Sequence, residues 1–252
     1  MPDLQVRQTP GAQVVETSPG DWRLSIPAGT GSGYRWAQLD DYMQLPRKEF
    51  AWAAPLRLEL RARVSAADLP GTWGFGLWND PFTAGLGLGG TARRLPALPN
   101  TAWFFHASPP NYLALQDHHP AVGMLAATFS ARGIPTALLA LGALAVPLLA
   151  WRPTARWLRR WGRNFVRESA ERLELDVTEW HDYTLEIRPD GVRFGVDGAA
   201  CCETQVSPRG RLGVVIWIDN QYAAFRPDGK LSMGVLANEA AWLEISNIRI
   251  QP

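Results

Sequence analysis

Apolar and polar positions alternate along most of the chain and stop alternating near its middle. Trp22–Ile26, Ala51–Ala53 and Leu56–Val64 are short runs set between Gly and Pro, and the last, LRLELRARV, alternates apolar and charged residues without a break. A period of two puts every second side chain on one face, so these runs predict half-buried strands. Gly74–Trp78 and Ala102–His106 predict two more, with a Gly-rich loop between them. The pattern resumes with Trp180–Ile187, a Pro189-Asp190-Gly191 turn, and Val192–Val196 closed by Asp197-Gly198. Arg211–Ile218, Ala223–Phe225, a Pro227-Asp228-Gly229 turn and Ala241–Ile250 follow. Turn residues between alternating runs predict consecutive hairpins. Many short strands without helical crossovers predict an all-β fold, an antiparallel β-sandwich of jelly-roll type, as one domain over 1–252.

The interruption predicts a helical insert at about 121–172. Ile134–Trp151 holds eighteen residues without a charge, flanked by Arg132 and Arg152, and predicts an apolar helix over 134–151. Its length would be marginal for a membrane span. Strands on both sides must join one sandwich, so both ends of the insert lie on the same side, which leaves re-entrant, in-plane or protein-covered placements. Over 152–170, Arg156, Arg159, Arg160, Arg163 and Arg167 recur at helical intervals beside Trp157, Leu158, Trp161 and Phe165. That pattern predicts an amphipathic helix with a cationic and an aromatic face. Arg near anionic head groups and Trp at the polar boundary are the composition of an interfacial helix. Trp151, Arg156, Trp157, Arg160, Trp161 and Arg163 are therefore the expected membrane-binding set. Packing as a cap on the sandwich, or binding another protein, are the competing readings.

Composition narrows the classes. A net charge of +1 gives no global basis for nucleic-acid binding. The two cysteines, Cys201 and Cys202, are adjacent and poorly placed for a relaxed disulfide. Met1–Glu16 lacks a cationic segment followed by an apolar run, which leads to the expectation of a cytoplasmic protein peripheral to the membrane. No nucleophile elbow, phosphate loop or dinucleotide fingerprint is present, and no cofactor is expected.

Trp180-His-Asp-Tyr-Thr-Leu-Glu-Ile-Arg-Pro-Asp-Gly-Val-Arg-Phe-Gly-Val-Asp-Gly198 resembles a hairpin of the concanavalin A-like superfamily, which includes family-16 glycoside hydrolases and laminin G modules. Gly71–Trp78 is similar to the strand those glucanases place before their catalytic strand, and Leu243–Ile250 to their closing strand. The resemblance spans about 22–119 and 177–252. It implies a jelly roll, and for a retaining glucanase two neighbouring carboxylates on the strand after Trp78. That strand, Trp103–Ser108, carries no acid. Glu174-Leu-Asp-Val-Thr-Glu179 matches the acid motif as a string but leads directly into Trp180, and reads better as a solvated segment.

Strand alternation leaves other candidates. Trp78 with Asp80, then Phe104 with His106 and Ser108, then Trp217 with Asp219 and Gln221, each share a side. If all three strands lie in the concave sheet, the family's expected binding face, they line one cleft. Trp78, Phe104, Trp217, Gln221 and Asn79 would hold a ligand. His106, positioned by Asp80 or Asp219, would be the acid–base pair of any enzyme. The same residues also read as core aromatics, a buried histidine and turn formers. Asp117-His118-His119 resembles a metal cluster, but adjacent histidines on a strand face opposite ways, so no metal is expected. The leading expectation is a membrane-associated binder, or enzyme, for a lipophilic or amphipathic small molecule in the concave cleft; the alternatives are a carbohydrate-binding or glycoside-cleaving module and a protein-interaction domain.

Overall fold

The alternating segments form two antiparallel sheets packed face to face. The structure, a computed structural model, describes residues 3–81, 94–131, 133, 139 and 151–252. The strands are β1 (Gln5–Gln8), β2 (Gln13–Ser18), β3 (Asp21–Ile26), β4 (Trp36–Asp40), β5 (Leu56–Val64), β6 (Thr72–Trp78), β7 (Thr101–Ala107) and β8 (Gly123–Ala131). After helix α1 (Arg152–Gly162) come β9 (Val166–Arg172), β10 (His181–Arg188), β11 (Gly191–Val196), β12 (Ala199–Thr204), β13 (Gly213–Asp219), β14 (Gln221–Phe225), β15 (Leu231–Val235) and β16 (Ala241–Gln251). The first sheet runs β1-β4-β13-β6-β7-β8-β9, the second β12-β11-β10-β5-β16-β3-β2, and β14-β15 form a separate hairpin.

β5 shows why the sandwich forms. Leu56, Leu58, Leu60, Ala62 and Val64 are buried while the residues between them are not. Across the ladder, Ile187, Leu185 and Tyr183 pair with Leu56, Leu58 and Leu60. The first sheet answers from β6, β7 and β13 with Phe75, Phe104 and Ile216. Edge-to-face contacts, Phe75 with Tyr183 at 4.9 Å and Phe104 with Phe194 at 5.1 Å, interlock the two layers.

β6, β7, β8 and β13 are buried on both faces. On their outer side Phe105, Leu125 and Phe129 form a second cluster, and Tyr42, Phe50, Trp78 and Val215 a third. The alternation signal accordingly fades in these strands.

The insert is narrower than the expected 121–172. β8 and β9 pair from Leu125↔Arg172 to Ala131↔Val166, so the insert occupies only 132–165 and joins two neighbouring strands at one edge of the first sheet. The expected amphipathic helix over 152–170 ends at Gly162. Past it, Val166, Glu168 and Ala170 are buried alternately with exposed or half-buried neighbours, a period of two that a helix cannot satisfy. The expected apolar helix over 134–151 lies outside the described residues apart from Leu139 and Trp151. Among the described residues, no helix is long and apolar enough to cross a membrane.

Candidate functional site

A cavity of about 140 Å³ opens on the outer face of the first sheet. Its floor comes from alternate residues of four neighbouring strands: Trp36 and Gln38 of β4, Val215, Trp217 and Asp219 of β13, Thr72 and Trp78 of β6, and Trp103 of β7. Tyr34 closes one end, and Asn111, Leu113, Gln221, Tyr222 and Ala223 form a wall. Tyr112 N–H donates to Ala223 O and Phe225 N–H donates to Tyr112 O, both at 2.9 Å, and the Asn111 amide oxygen accepts from Ala223 N–H. The wall is thus a loop stitched to β14.

Glycines in β6 create the aromatic floor. Gly74 lies opposite Trp217 on one side and Phe105 on the other, and Gly76 lies opposite Trp103. A Cβ on Gly76 would stand 2.5 Å from the Trp103 Cβ and 2.4 Å from Ala102 O, so only the missing side chain lets the indole lie across the strand. The rings of Trp103 and Trp217 are 5.4 Å apart, and those of Trp78 and Trp103 are 5.8 Å apart. Successive ring planes are tilted by 49° and 41°, and while Trp103 and Trp217 are half-buried, Trp78 is buried.

A polar chain ends in Asp219. Trp217 Nε1–H donates to Thr72 Oγ1 at 2.9 Å, and Thr72 Oγ1–H donates to Asp219 Oδ1 at 2.9 Å. The same oxygen accepts from the backbone N–H groups of Thr72 and Gln221 at 3.2 and 3.1 Å, and the Tyr34 hydroxyl bonds the carboxyl as well. Burial pushes the Asp219 carboxyl up to about 7, against the lowering effect of these donors. Burial and the neighbouring Asp219 charge also raise the Tyr34 phenol. Two further acids on this face are occupied: Asp40 accepts from Gln38 Nε2–H and from the N–H groups of Tyr42 and Met43, and Glu168, at the far edge on β9, accepts from the N–H groups of Leu115 and Gln116.

Of the side chains expected in one cleft, the structure brings together Trp78, Trp217, Asp219 and Gln221. Phe104 and His106 are corrected to the opposite face. Register decides this: Phe104 sits across from Phe75, and His106 across from Trp73, both of which point into the inter-sheet core. His106 stacks on Trp73 at 5.7 Å, and burial lowers its imidazole to about 4, so it is neutral and remote from the groove. Asn79 and Asp80 are corrected to structural positions, because the chain leaves the sheet after Trp78 and alternation ends there. The Asn79 amide donates to Leu98 O and accepts from Asn100 N–H. Asp80, fully buried with a φ of 43°, pairs with buried Arg94, which also donates to Leu45 O, Tyr42 O and Met43 O.

Asp117 pairs with Arg159 and Arg163, and His118 and His119 face each other at 4.3 Å. Among the described residues no three metal-binding side chains cluster. Within Glu174–Glu179, Asp176 caps Thr178 and Glu174 pairs with Arg172 at the surface. Trp151, Arg156, Trp157, Arg160 and Trp161 are exposed, whereas Arg163 turns inward and donates to Leu115 O. Sequence reasoning missed Tyr34, Trp36, Gln38, Thr72, Trp103 and Tyr222. The alternation Trp36-Ala-Gln-Leu-Asp40, with Ala37 and Leu39 inward, was the available signal.

No protein-family model and no curated protein matches the chain. Solved structures do. A glycoside hydrolase family 16 endo-glucanase from Bacteroides ovatus aligns over 98% of this chain and 94% of its own, at 8% identity and a TM-score of 0.53. A glycoside hydrolase family protein from Mycobacterium thermorestibile aligns over 98% and 92%, at 11% identity and a TM-score of 0.52. The fold these structures share with the chain is the antiparallel jelly-roll sandwich. At these identities the likeness extends to the fold alone.

Within this jelly roll Asp40 and Asp219 do not stand as the acid pair of a glycosidase. Asp40 pairs with Val215 and Asp219 with Trp36, four residues apart along the ladder, or about 13 Å at the rise of a strand. Carboxyl groups in retaining enzymes stand about 5 Å apart, and in inverting ones at most about 9.5 Å. The residues outside the described set contain no Asp or Glu. The groove therefore offers one carboxyl group, not two.

Proposed function

We propose that the protein binds carbohydrate chains in this groove without two-carboxylate cleavage. The adjoining half-buried indoles of Trp103 and Trp217, bordered by Gln38, Asp219 and Gln221, carry this reading. A pyranose ring presents an apolar C–H face and an equatorial rim of hydroxyls. Indole faces accept the first, and short planar amides and carboxyls order the second. The single acid supports binding over hydrolysis.

The test is an array of oligosaccharides followed by calorimetry on any hit. Trp103→Ala and Trp217→Ala should each weaken a bound glycan by about 2 kcal/mol, roughly thirtyfold, as central aromatic anchors do. A wild-type chain that binds no glycan, or variants that bind as tightly as wild type, would sink the proposal. A lipophilic ligand in the same groove is the second reading, favoured by Val215 in its floor and Leu113 and Ala223 in its wall. Native mass spectrometry that finds a co-purified lipid, together with an empty array, would favour it.

A further inference from the structure

Helix α1 is held to the body by one face. Ala155 and Arg159 are buried, and Arg159 donates to the carbonyls of Phe225 and Ala114 and to Asp117. Asp117, an exposed acid at the edge of this contact, is paired with Arg159 and Arg163. The outer side is left with Arg152, Arg156 and Arg160 interleaved with Trp157 and Trp161. These two indoles lie nearly parallel, 11° apart with centroids at 6.1 Å.

The neighbouring hairpin continues the patch. At its tip Gly229, with a φ of +80°, lies so close to the helix that a Cβ there would stand 2.4 Å from Arg152 O and 2.7 Å from the Arg156 side chain. Arg226, Lys230, Leu231 and Met233 of this hairpin are exposed. Among the described residues eight large hydrophobic side chains are exposed, and five belong to this surface: Trp151 at 66%, Trp157 at 57%, Trp161 at 44%, Leu231 at 40% and Met233 at 45%. Against them stand five cations, Arg152, Arg156, Arg160, Arg226 and Lys230, and the exposed acid Asp228, while the other exposed acid beside the helix, Asp117, is already paired with Arg159 and Arg163. The whole chain carries only +1, so this cationic excess is a property of the surface and not of the composition.

We propose that α1 and the β14–β15 hairpin together form an interface for an anionic lipid bilayer, with the indoles at the head-group level and the arginines on lipid phosphates and carboxylates. Indole rings flanked by guanidinium groups, without the large uncharged area of a protein core, match the boundary between water and hydrocarbon. Charge complementarity commits the surface to anionic lipid over neutral lipid. The proposal is independent of the groove's ligand.

Flotation of the full chain with phosphatidylcholine vesicles, alone and with 30% phosphatidylserine (about the load of a strongly anionic leaflet), tests it. The wild-type chain should float with the anionic vesicles, and less so as salt rises. Arg156→Gln with Arg160→Gln should weaken binding about thirtyfold, which corresponds to about 1 kcal/mol for each arginine removed. Trp157→Ser with Trp161→Ser should abolish it, with circular dichroism unchanged because both positions are exposed. Three results would overturn the proposal: no flotation of wild type with anionic vesicles, equal flotation with neutral ones, or variants that float as well as wild type. Sedimentation showing a dimer that the tryptophan variant dissociates, without vesicle binding, would assign the surface to a second copy instead.

Discussion

Asp219 holds a proton near neutrality because burial outweighs the donors that converge on it. In the unfolded chain the same carboxyl titrates at about 3.9. Between about 4 and about 7 the folded state therefore binds a proton that the unfolded state has released, and stability falls as pH rises through that window. Glu168 and Asp41, also raised by burial, act with the same sign. His106 acts with the opposite sign: its lowered imidazole makes the folded state gain stability as pH climbs from about 4 toward 6.5. A difference against a variant isolates the one group. Asp219→Asn keeps an oxygen for Thr72 and Gln221, and urea midpoints at pH 5 and pH 8 should show wild type losing ground to the variant at the higher pH. An unchanged gap between the two would mean that the carboxyl is not shifted.

At the scale of elements, legibility followed solvent. β5 could be read from the sequence because one face meets water and the other the core, so LRLELRARV carries its own phase. β7 could not. Trp103 and Phe105 point outward, Phe104 and His106 inward, and both sides are buried. Only the pairing with β6, where Gly74 and Gly76 face the outward rings, sets which aromatic lies in the groove. β1 and β2 escaped notice for the reverse reason: as edge strands they are exposed on most positions and leave little apolar period. In β13 the phase was readable, and Trp217, Asp219 and the following Gln221 were placed together. Of the two buried side chains of α1, Ala155 and Arg159, the arginine makes its polar contacts with the body. Arg159→Met would leave the Ala114 and Phe225 carbonyls without their donor and Asp117 with one cation fewer. A cost of about 3 kcal/mol is expected, on the order of 10 °C in melting temperature for a chain of this size, read by calorimetry. A shift under about 2 °C would mean that the helix is held by other contacts.

For the molecule as a whole, the jelly roll was legible from hairpin spacing and turn residues, while its boundaries at the insert were not. Val166–Arg172 continues the run of arginines, and only its alternation betrays a strand. One core cluster runs from Leu24 and Ile26 through β5, β6 and β7 to Val192 and Phe194, so both sheets should unfold together. Phe104→Ala, at the centre of that cluster, should cost about 3 to 5 kcal/mol in one cooperative transition seen alike by fluorescence and circular dichroism. Glycan affinity measured well below the melting temperature should be unchanged, since the ring lies on the far side of the sheet from the groove. Loss of affinity without loss of stability would restore Phe104 to the ligand.

The Arg159 guanidinium spans the carbonyls of Ala114 and Phe225, and these two residues continue the segments that wall the groove. The helix and the wall that carries Leu113 and Tyr222 are thus joined through one side chain. If docking of the helix favours one groove width, an occupant of the groove favours docking by the same factor, because a coupling free energy has no direction. The strut that fixes the insert to the sandwich would then make one adaptor of two surfaces, able to report at the helix that the groove is filled.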